Sequence, residues 1–144
     1  MALPIDNRTA EFIRNHAVAR LATADSEGQP SVVPVCYAFD GAAFYTPIDE
    51  KPKSVNGREL RRVRNIAANR RVSLLIDDYS DDWSKLAYVV IRGLAEVLEP
   101  QSAAEEHAHA VALLREKYPQ YREMAIDRSL LIKIMPVRIK RWGA

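Results

Sequence analysis

Residues 71–98, RVSLLIDDYSDDWSKLAYVVIRGLAEVL, constrain the fold more than any other stretch of this chain. Two runs rich in Val, Ile and Leu, VSLLID and LAYVVIRGLAEVLE, flank the acidic turn DYSDDW and read as a hairpin of two long strands. Both runs carry apolar residues on both faces. A strand of that kind must be covered twice, as in a small closed barrel with an outer layer or a subunit interface.

The remaining elements fit around that hairpin. Asp6 is placed to cap a helix over residues 7–15, with Phe12, Ile13 and His16 on one face. VARLATADSEGQPSVVPVCYAF is a second hairpin folded about DSEGQP, and AFYTPI is a third strand that Pro47 brings to an end. After an Asn56-Gly57 turn, Leu60, Val63 and Ile66 recur at helical spacing, which predicts a helix over 58–68 closed by Asn69. Ser102 and Glu105 form the capping-box pattern of a helix over 101–117, striped by His107, Val111, Leu114 and Tyr118 and ended by Pro119. The last strand, LLIKIMPVRIKR, contains Pro136 and is expected to bulge or to lie at an edge there. Six strands and three helices that do not alternate as strand-helix-strand units exclude a doubly wound sheet. The expected class is mainly β (α+β), an antiparallel barrel with packed helices. A chain of 144 residues makes one domain, 1–144, able to bury about 68–70% of its unfolded surface.

Several function classes drop out on composition. No tract is apolar enough to span a bilayer, the N-terminus lacks a signal-peptide pattern, and one cysteine allows no internal disulfide; these features point to the cytoplasm. His16, His107 and His109 have no metal-ligand spacing, and Asp77, Asp78, Asp81 and Asp82 lack the rest of a calcium loop, so no metal site is expected. Cys36 reads as a structural thiol. Charge is the informative property. From Lys51 to Arg71 eight basic residues face the single acid Glu59, while the rest of the chain holds 13 basic against 18 acidic residues. That segment contains no aromatic residue to stack on bases, which disfavours nucleic acid. Guanidinium and ammonium groups where a strand gives way to a helix suit the phosphate of a small molecule. Tyr45, Thr46 and Trp83 flank the segment as groups able to pack on or bond to a ring.

The order of these pieces resembles the split β-barrel flavin and deazaflavin oxidoreductases of the pyridoxamine 5′-phosphate oxidase-like superfamily. The residues that carry the resemblance are Leu21 to Pro30 (L-A-T-x-x-x-x-G-x-P), Arg62 to Asn65 (R-x-R-N), Asp78 to Trp83, and Arg92 to Ala95 (R-G-x-A). The resemblance implies a six-stranded antiparallel split barrel and a homodimer with a cofactor site at the subunit interface. It implies that Val33, Pro34, Val35 and Cys36 line an isoalloxazine-like ring and that Tyr45, Thr46 and Pro47 border the ribityl chain. Lys51, Lys53, Arg62 and Asn65 would approach the phosphate, and Trp83 would come from the partner subunit. DEKPK, RVRN and the acidic tryptophan turn look like the subgroup that uses the deazaflavin coenzyme F420, with FMN as the alternative cofactor. RIKRWGA stands where authentic pyridoxamine phosphate oxidases carry a substrate-handling R-x-H, so vitamin B6 oxidation is not expected. The expected activity is hydride transfer to or from a small organic molecule. A non-enzymatic flavin carrier and an anion-binding module are the other readings. No residue presents itself as a catalytic acid; Tyr37, Tyr79 and Tyr88 read first as packing residues. Arg58, Arg61 and Arg64 would meet a longer acidic tail or only water.

Overall fold

The computed structural model describes residues 3–48 and 60–143. In chain order the elements are α1 (Asn7–Arg14), β1 (Ala19–Ala24), β2 (Pro30–Val35), β3 (Ala38–Phe39), β4 (Phe44–Pro47), α2 (Arg61–Ala68), β5 (Arg71–Asp78), β6 (Ala87–Leu98), α3 (Ala104–Lys117) and β7 (Leu131–Gly143). Among the described residues three short 3-10 turns punctuate the loops, one of them Trp83–Lys85 between β5 and β6. All strand pairs are antiparallel, and the sheet runs β2-β1-β5-β6-β7-β4-β3. Only Cys36 and Tyr37 separate β2 from β3, the two edge strands, so the sheet curls until its ends nearly meet. The result is a mainly β split barrel with three helices.

Alternation along the strands explains the two cores. Leu21, Leu74, Ile76, Val89, Ile91, Ile132 and Ile134 turn inward and join Ile13 of α1 and Val63 and Ile66 of α2. Each such side chain contributes about 1.5–3 kcal/mol when fully buried. A second cluster lies between α3 and the outer face of the sheet, where Val111 and Leu114 meet Tyr45, Leu98 and Leu131. Local devices fix the element ends. Asp6 accepts the Thr9 N–H at 2.7 Å and starts α1, while the Asp25 carboxylate accepts the N–H groups of Glu27 and Gln29, both at 2.9 Å, in the β1–β2 turn.

Three expectations change in detail. Seven strands replace six, because the second run divides at Cys36–Tyr37 into β2, which pairs with β1, and β3, which pairs with β4. The physical cause is Tyr118, whose hydroxyl accepts the Tyr37 N–H at 2.9 Å and sits 2.9 Å from the Tyr37 carbonyl. That hydroxyl takes over the backbone groups that a continuing ladder would use. The Ser102 capping box does not form: a turn in which the Ala103 N–H donates to Glu99 O shifts the start of α3 to Ala104, with no side-chain cap. Glu105 and Glu106 in its first turn still complement the helix dipole. The second helix begins at Arg61 rather than residue 58, and 49–59 lie outside the described residues. Pro136 does sit at an irregularity: Arg92 pairs with Arg138 and Gly93 with Pro136, which leaves Val137 as the extra residue of a bulge between two paired strands.

The outer faces of β5 and β6 are covered over only part of their length. α3 and the second cluster shield the sheet toward Leu98, but Leu75, Leu94 and, on β2, Val32 remain exposed.

Candidate cofactor-binding site

The split in the barrel runs between β2 and the β3–β4 hairpin, and most of the expected site residues lie along its two lips. On one lip, β2 is an edge strand that pairs only with β1. That position explains how it holds Pro30 and Pro34, since a proline cannot donate to a second ladder. An edge also leaves backbone N–H and C=O groups free to pair with a planar heterocycle. Val33 and Val35 pack toward the main core, Pro34 faces outward, and half-buried Cys36 leans on the second cluster.

On the other lip, the three residues of β4 behave differently. Tyr45 is buried against α3, where its hydroxyl donates to Glu106 Oε2 at 2.9 Å and its ring meets the edge of His109. Burial, then the bond to Glu106, holds the Tyr45 phenol well above its usual range. Lys133 binds the same Glu106 oxygen at 2.5 Å; burial raises Glu106, but the bonds from Lys133 and Tyr45 outweigh it and leave the carboxyl low. His109 Nε2 in turn lies 3.0 Å from Asp40 Oδ2. This network pins α3 to β4 and β7. Thr46 is 1% exposed, and its Oγ1 has no hydrogen-bond partner among the described residues. Pro47 ends the strand, and the following Ile48 N–H bonds to Leu130 O at 3.0 Å. An orphaned hydroxyl costs about 1–3 kcal/mol in a dry site, so Thr46 fits a polar ligand group better than it fits a core.

Past Ile48 the chain enters the basic segment, and Lys51 and Lys53 lie outside the described residues. The far end of that segment is α2. Its Val63, Asn65 and Ile66 face inward, while Arg61 and Arg64 are exposed and Arg62 lies half-buried in the first turn. Asn65 Nδ2 donates to Thr23 Oγ1 at 2.9 Å, and both residues are almost completely buried. Thr23 is the threonine of the L-A-T motif, but its role as Asn65's partner follows only from the packing of α2 on β1. A groove of about 570 Å³ separates α2 from β6, with Val63, Ile66 and Val97 on its walls and Arg64 and Arg70 at its rim. Register ties this groove to the β4 lip, because Thr46 pairs with Ile132 and Ile132 with Val97. Thr46, Arg62 and Asn65 therefore belong to one end of the barrel.

Trp83 does not join them. It is 72% exposed in the turn beyond Asp78, whereas α2 feeds the other end of the eight-residue β5. At roughly 3.3 Å per residue the two ends of β5 are about 23 Å apart. Tyr79 is equally exposed, at 73%. Tyr37 is wholly buried and its hydroxyl donates to Ile13 O. Tyr88 stacks on Trp142 with ring centroids 5.5 Å apart. The three histidines are all engaged: His16 with Asp78 and Phe12 O, His107 with Ser129 O, and His109 with Asp40. Among the described residues no group of three His, Cys, Asp or Glu side chains could hold a metal ion, and no helix is long and apolar enough to cross a membrane.

The family model for pyridoxamine 5′-phosphate oxidase matches residues 5–143. A 5a,11a-dehydrotetracycline/5a,11a-dehydrooxytetracycline reductase of Streptomyces rimosus is 28% identical over 145 residues, covering 98% of this chain and 84% of the relative. Among solved structures, the heme storage protein HutZ from Vibrio cholerae superposes with a TM-score of 0.74 at 16% identity, over 98% of this chain and 95% of its own. A protein described as an F420 reductase superposes with a TM-score of 0.65 at 19% identity, over 96% of this chain and 98% of its own.

Proposed function

The chain belongs to the pyridoxamine 5′-phosphate oxidase family, and from that membership we propose that it is an oxidoreductase using a flavin-type cofactor, by preference the deazaflavin F420, at a homodimer interface. The observation that carries this reading is Thr46, a buried hydroxyl at the root of the basic segment without a partner among the described residues. A polyol phosphate would satisfy it, with Lys51, Lys53 and Arg62 supplying charge to the phosphate. Asn65 would act at one remove, by holding α2 against β1 through Thr23. The free edge of β2 would orient the ring, and Val33 to Cys36 would keep water from one side of it. When bound, the cofactor would supply or accept the hydride.

A second copy supports the site in two ways. The outer sheet face, with Val32 63%, Leu75 37% and Leu94 38% exposed, is an apolar surface of the kind that dimers cover. Trp83, too far along β5 to reach the α2 end of its own barrel, would be available to the partner's site. The S. rimosus relative is described as a 5a,11a-dehydrotetracycline/5a,11a-dehydrooxytetracycline reductase, which favours a reductase acting on a small organic molecule. F420 is preferred over FMN because its acidic tail would use more of the basic segment; the neighbour described as an F420 reductase agrees with this at the level of fold. A haem-carrying role, suggested by HutZ, is disfavoured by the bare face itself, whose strands β1, β2, β5, β6 and β7 contain no histidine. Titration of the purified protein with F420 and FMN tests the proposal. Micromolar binding of at least one, tighter for F420, is expected; binding of neither ends it.

A further inference from the structure

The uncovered outer face of β5, β6 and β7 is polarised along its strands. Tyr88 and Trp142 form an aromatic rung, with ring planes 20° apart; Leu75 and Val90 form an apolar rung; Arg92 and Arg138 form a cationic one. The acidic turn projects beyond the aromatic rung, and α2 lies toward the cationic end. Two guanidinium groups directly opposite one another destabilise a sheet. Both arginines are exposed, and neither forms an ion pair among the described residues. In the turn, Asp77 is taken by Arg20 and Asp78 by His16, whereas exposed Asp81 and Asp82 form no ion pair among the described residues. Same-face rungs are about 6.7 Å apart, so the aromatic and cationic rungs flank the apolar one at equal distances. A two-fold axis can stack such a face on a second copy in two ways. An axis along the strands sets cations on cations and turn on turn. An axis across the strands, over the apolar rung, sets each cationic rung on the partner's aromatic rung and each acidic turn at the partner's cationic end.

We propose that a second copy of this chain is seated in the latter arrangement by a reciprocal clasp, in which Tyr88 and Trp142 carry the partner's Arg92 and Arg138 and the turn of Asp81 and Asp82 closes on those guanidinium groups. The homodimer itself, and a place for Trp83 in the partner's cofactor site, rest on the oxidoreductase reading; the choice of arrangement rests on this face. A guanidinium plane stacks on an aromatic ring while its N–H edge stays free to donate to a carboxylate, so aromatic and acidic partners satisfy one arginine together. Lys140 shares the apolar rung, and its long stem lets the ammonium leave that rung for the partner's carboxylates. The clasp also accounts for Trp83. Next to Asp82 and 72% exposed, it is carried to the partner's α2 end, which it cannot reach in its own barrel. The same contacts that hold the copies together thus complete the cofactor site.

Sedimentation equilibrium of the intact protein, without added cofactor, tests the clasp by charge exchange. The parent should be a dimer that loosens as ionic strength rises. One variant carries Arg92→Glu and Arg138→Glu, the other Asp81→Lys and Asp82→Lys. Each alone sets like charges together in both clasps of its homodimer, so its dimer dissociation constant should rise about ten-fold or more. An equimolar mixture pairs opposite charges in both clasps of the heterodimer and should associate nearly as tightly as the parent. Circular dichroism melts confirm that each variant is folded. A monomeric parent, which would leave the face to another occupant, overturns the proposal. So do variants that dimerise like the parent, and a mixture that stays as weak as its components. A tighter dimer in the arginine variant would mark the arrangement with like ends together and also overturns it. Failure of the oxidoreductase reading shows separately, as absence of F420 and FMN binding with the rescue on mixing retained.

Discussion

Gly93→Ala should be a damaging single methyl in the middle of the β6–β7 ladder. A Cβ built at Gly93 would lie 2.6 Å from the carbonyl oxygen of Met135, 2.9 Å from Ile134 Cγ2 and 3.2 Å from the Met135 carbonyl carbon. The first is backbone, in the strand that β6 pairs with along its whole length, so no flexible side chain can swing away. Relief requires β7 to move by several tenths of an ångström at the bulge, where Val137 is already unmatched. Overpacking of this kind costs about 1–3 kcal/mol, and the backbone origin of the clash puts Gly93 in the upper half of that range. At about 2–4 °C per kcal/mol for a chain of this size, Tm should fall by roughly 4–12 °C. Gly28→Ala is the informative comparison. Gly28 has φ +86° but nothing within 4 Å of the added Cβ, so its cost is only that of left-handed backbone, about 1–2 kcal/mol. Melting followed by circular dichroism, at one fixed protein concentration so that any dimer is held constant, compares the two. A Gly93→Ala protein that melts within 2 °C of the parent, or above Gly28→Ala, would refute the packing argument.

Three further changes follow from buried polar groups. Tyr118→Phe removes the hydroxyl that serves Tyr37 N–H and the carbonyls of Tyr37 and Ala17, and should cost about 1–3 kcal/mol in denaturant unfolding; no change would mean that the β2–β3 break has another cause. Asn65→Leu leaves the Thr23 hydroxyl without its donor and should destabilise by a similar amount, whereas the double change with Thr23→Val should recover part of it; strict additivity of the two would refute the coupling. Lys117 carries a buried Nζ with no hydrogen-bond partner among the described residues, 3.7 Å from the centre of the Tyr37 ring, and burial lowers its ammonium from 10.5 to about 8. Between those values the unfolded chain binds more protons than the folded one, so stability rises with pH; above about 10 the buried phenols Tyr37, Tyr45 and Tyr118, all raised chiefly by burial, reverse the trend. Lys117→Met should raise Tm at pH 7 and flatten the rise above pH 8, and a melting profile parallel to the parent's would count against this account.

The strands and helices were legible because their periods are local. The hairpin β5–β6 announces itself in 28 residues, and the α3 stripe of His107, Val111, Leu114 and Tyr118 is buried as its spacing demands. What misled was chemistry supplied from far along the chain. PSVVPVCYAF has nothing in it to stop a strand at Cys36; the hydroxyl that stops it is 81 residues away. Ser102 and Glu105 have the right spacing for a cap, but the preceding turn at Glu99 decides where the helix starts. Asn65, on α2, carries a motif, yet its partner Thr23 lies 42 residues earlier on strand β1.

The same distinction divides the functional surface. The basic segment proposed to clamp a phosphate shows in the sequence, because seven net charges within 21 residues stand out in the composition. The cluster of Arg92, Arg138 and Lys140 on β6 and β7 does not show, because Arg92 and Arg138 are 46 residues apart and only the register makes them neighbours. That register in turn depends on the bulge. Were Val137 to pair with Arg92 instead of bulging out, every pairing on that side of Gly93 would slip by one residue, and a one-residue slip sends each side chain to the opposite face of a sheet. Arg138 and Lys140 would then point into the core beside Ile91 and Val89, where unpaired charge is prohibitive. Pro136, which cannot donate a ladder bond, and Gly93, which leaves room for the Met135 carbonyl, are thus what place the cations outward together. A binding surface assembled across strands is written in the residues that set register as much as in the residues that carry charge.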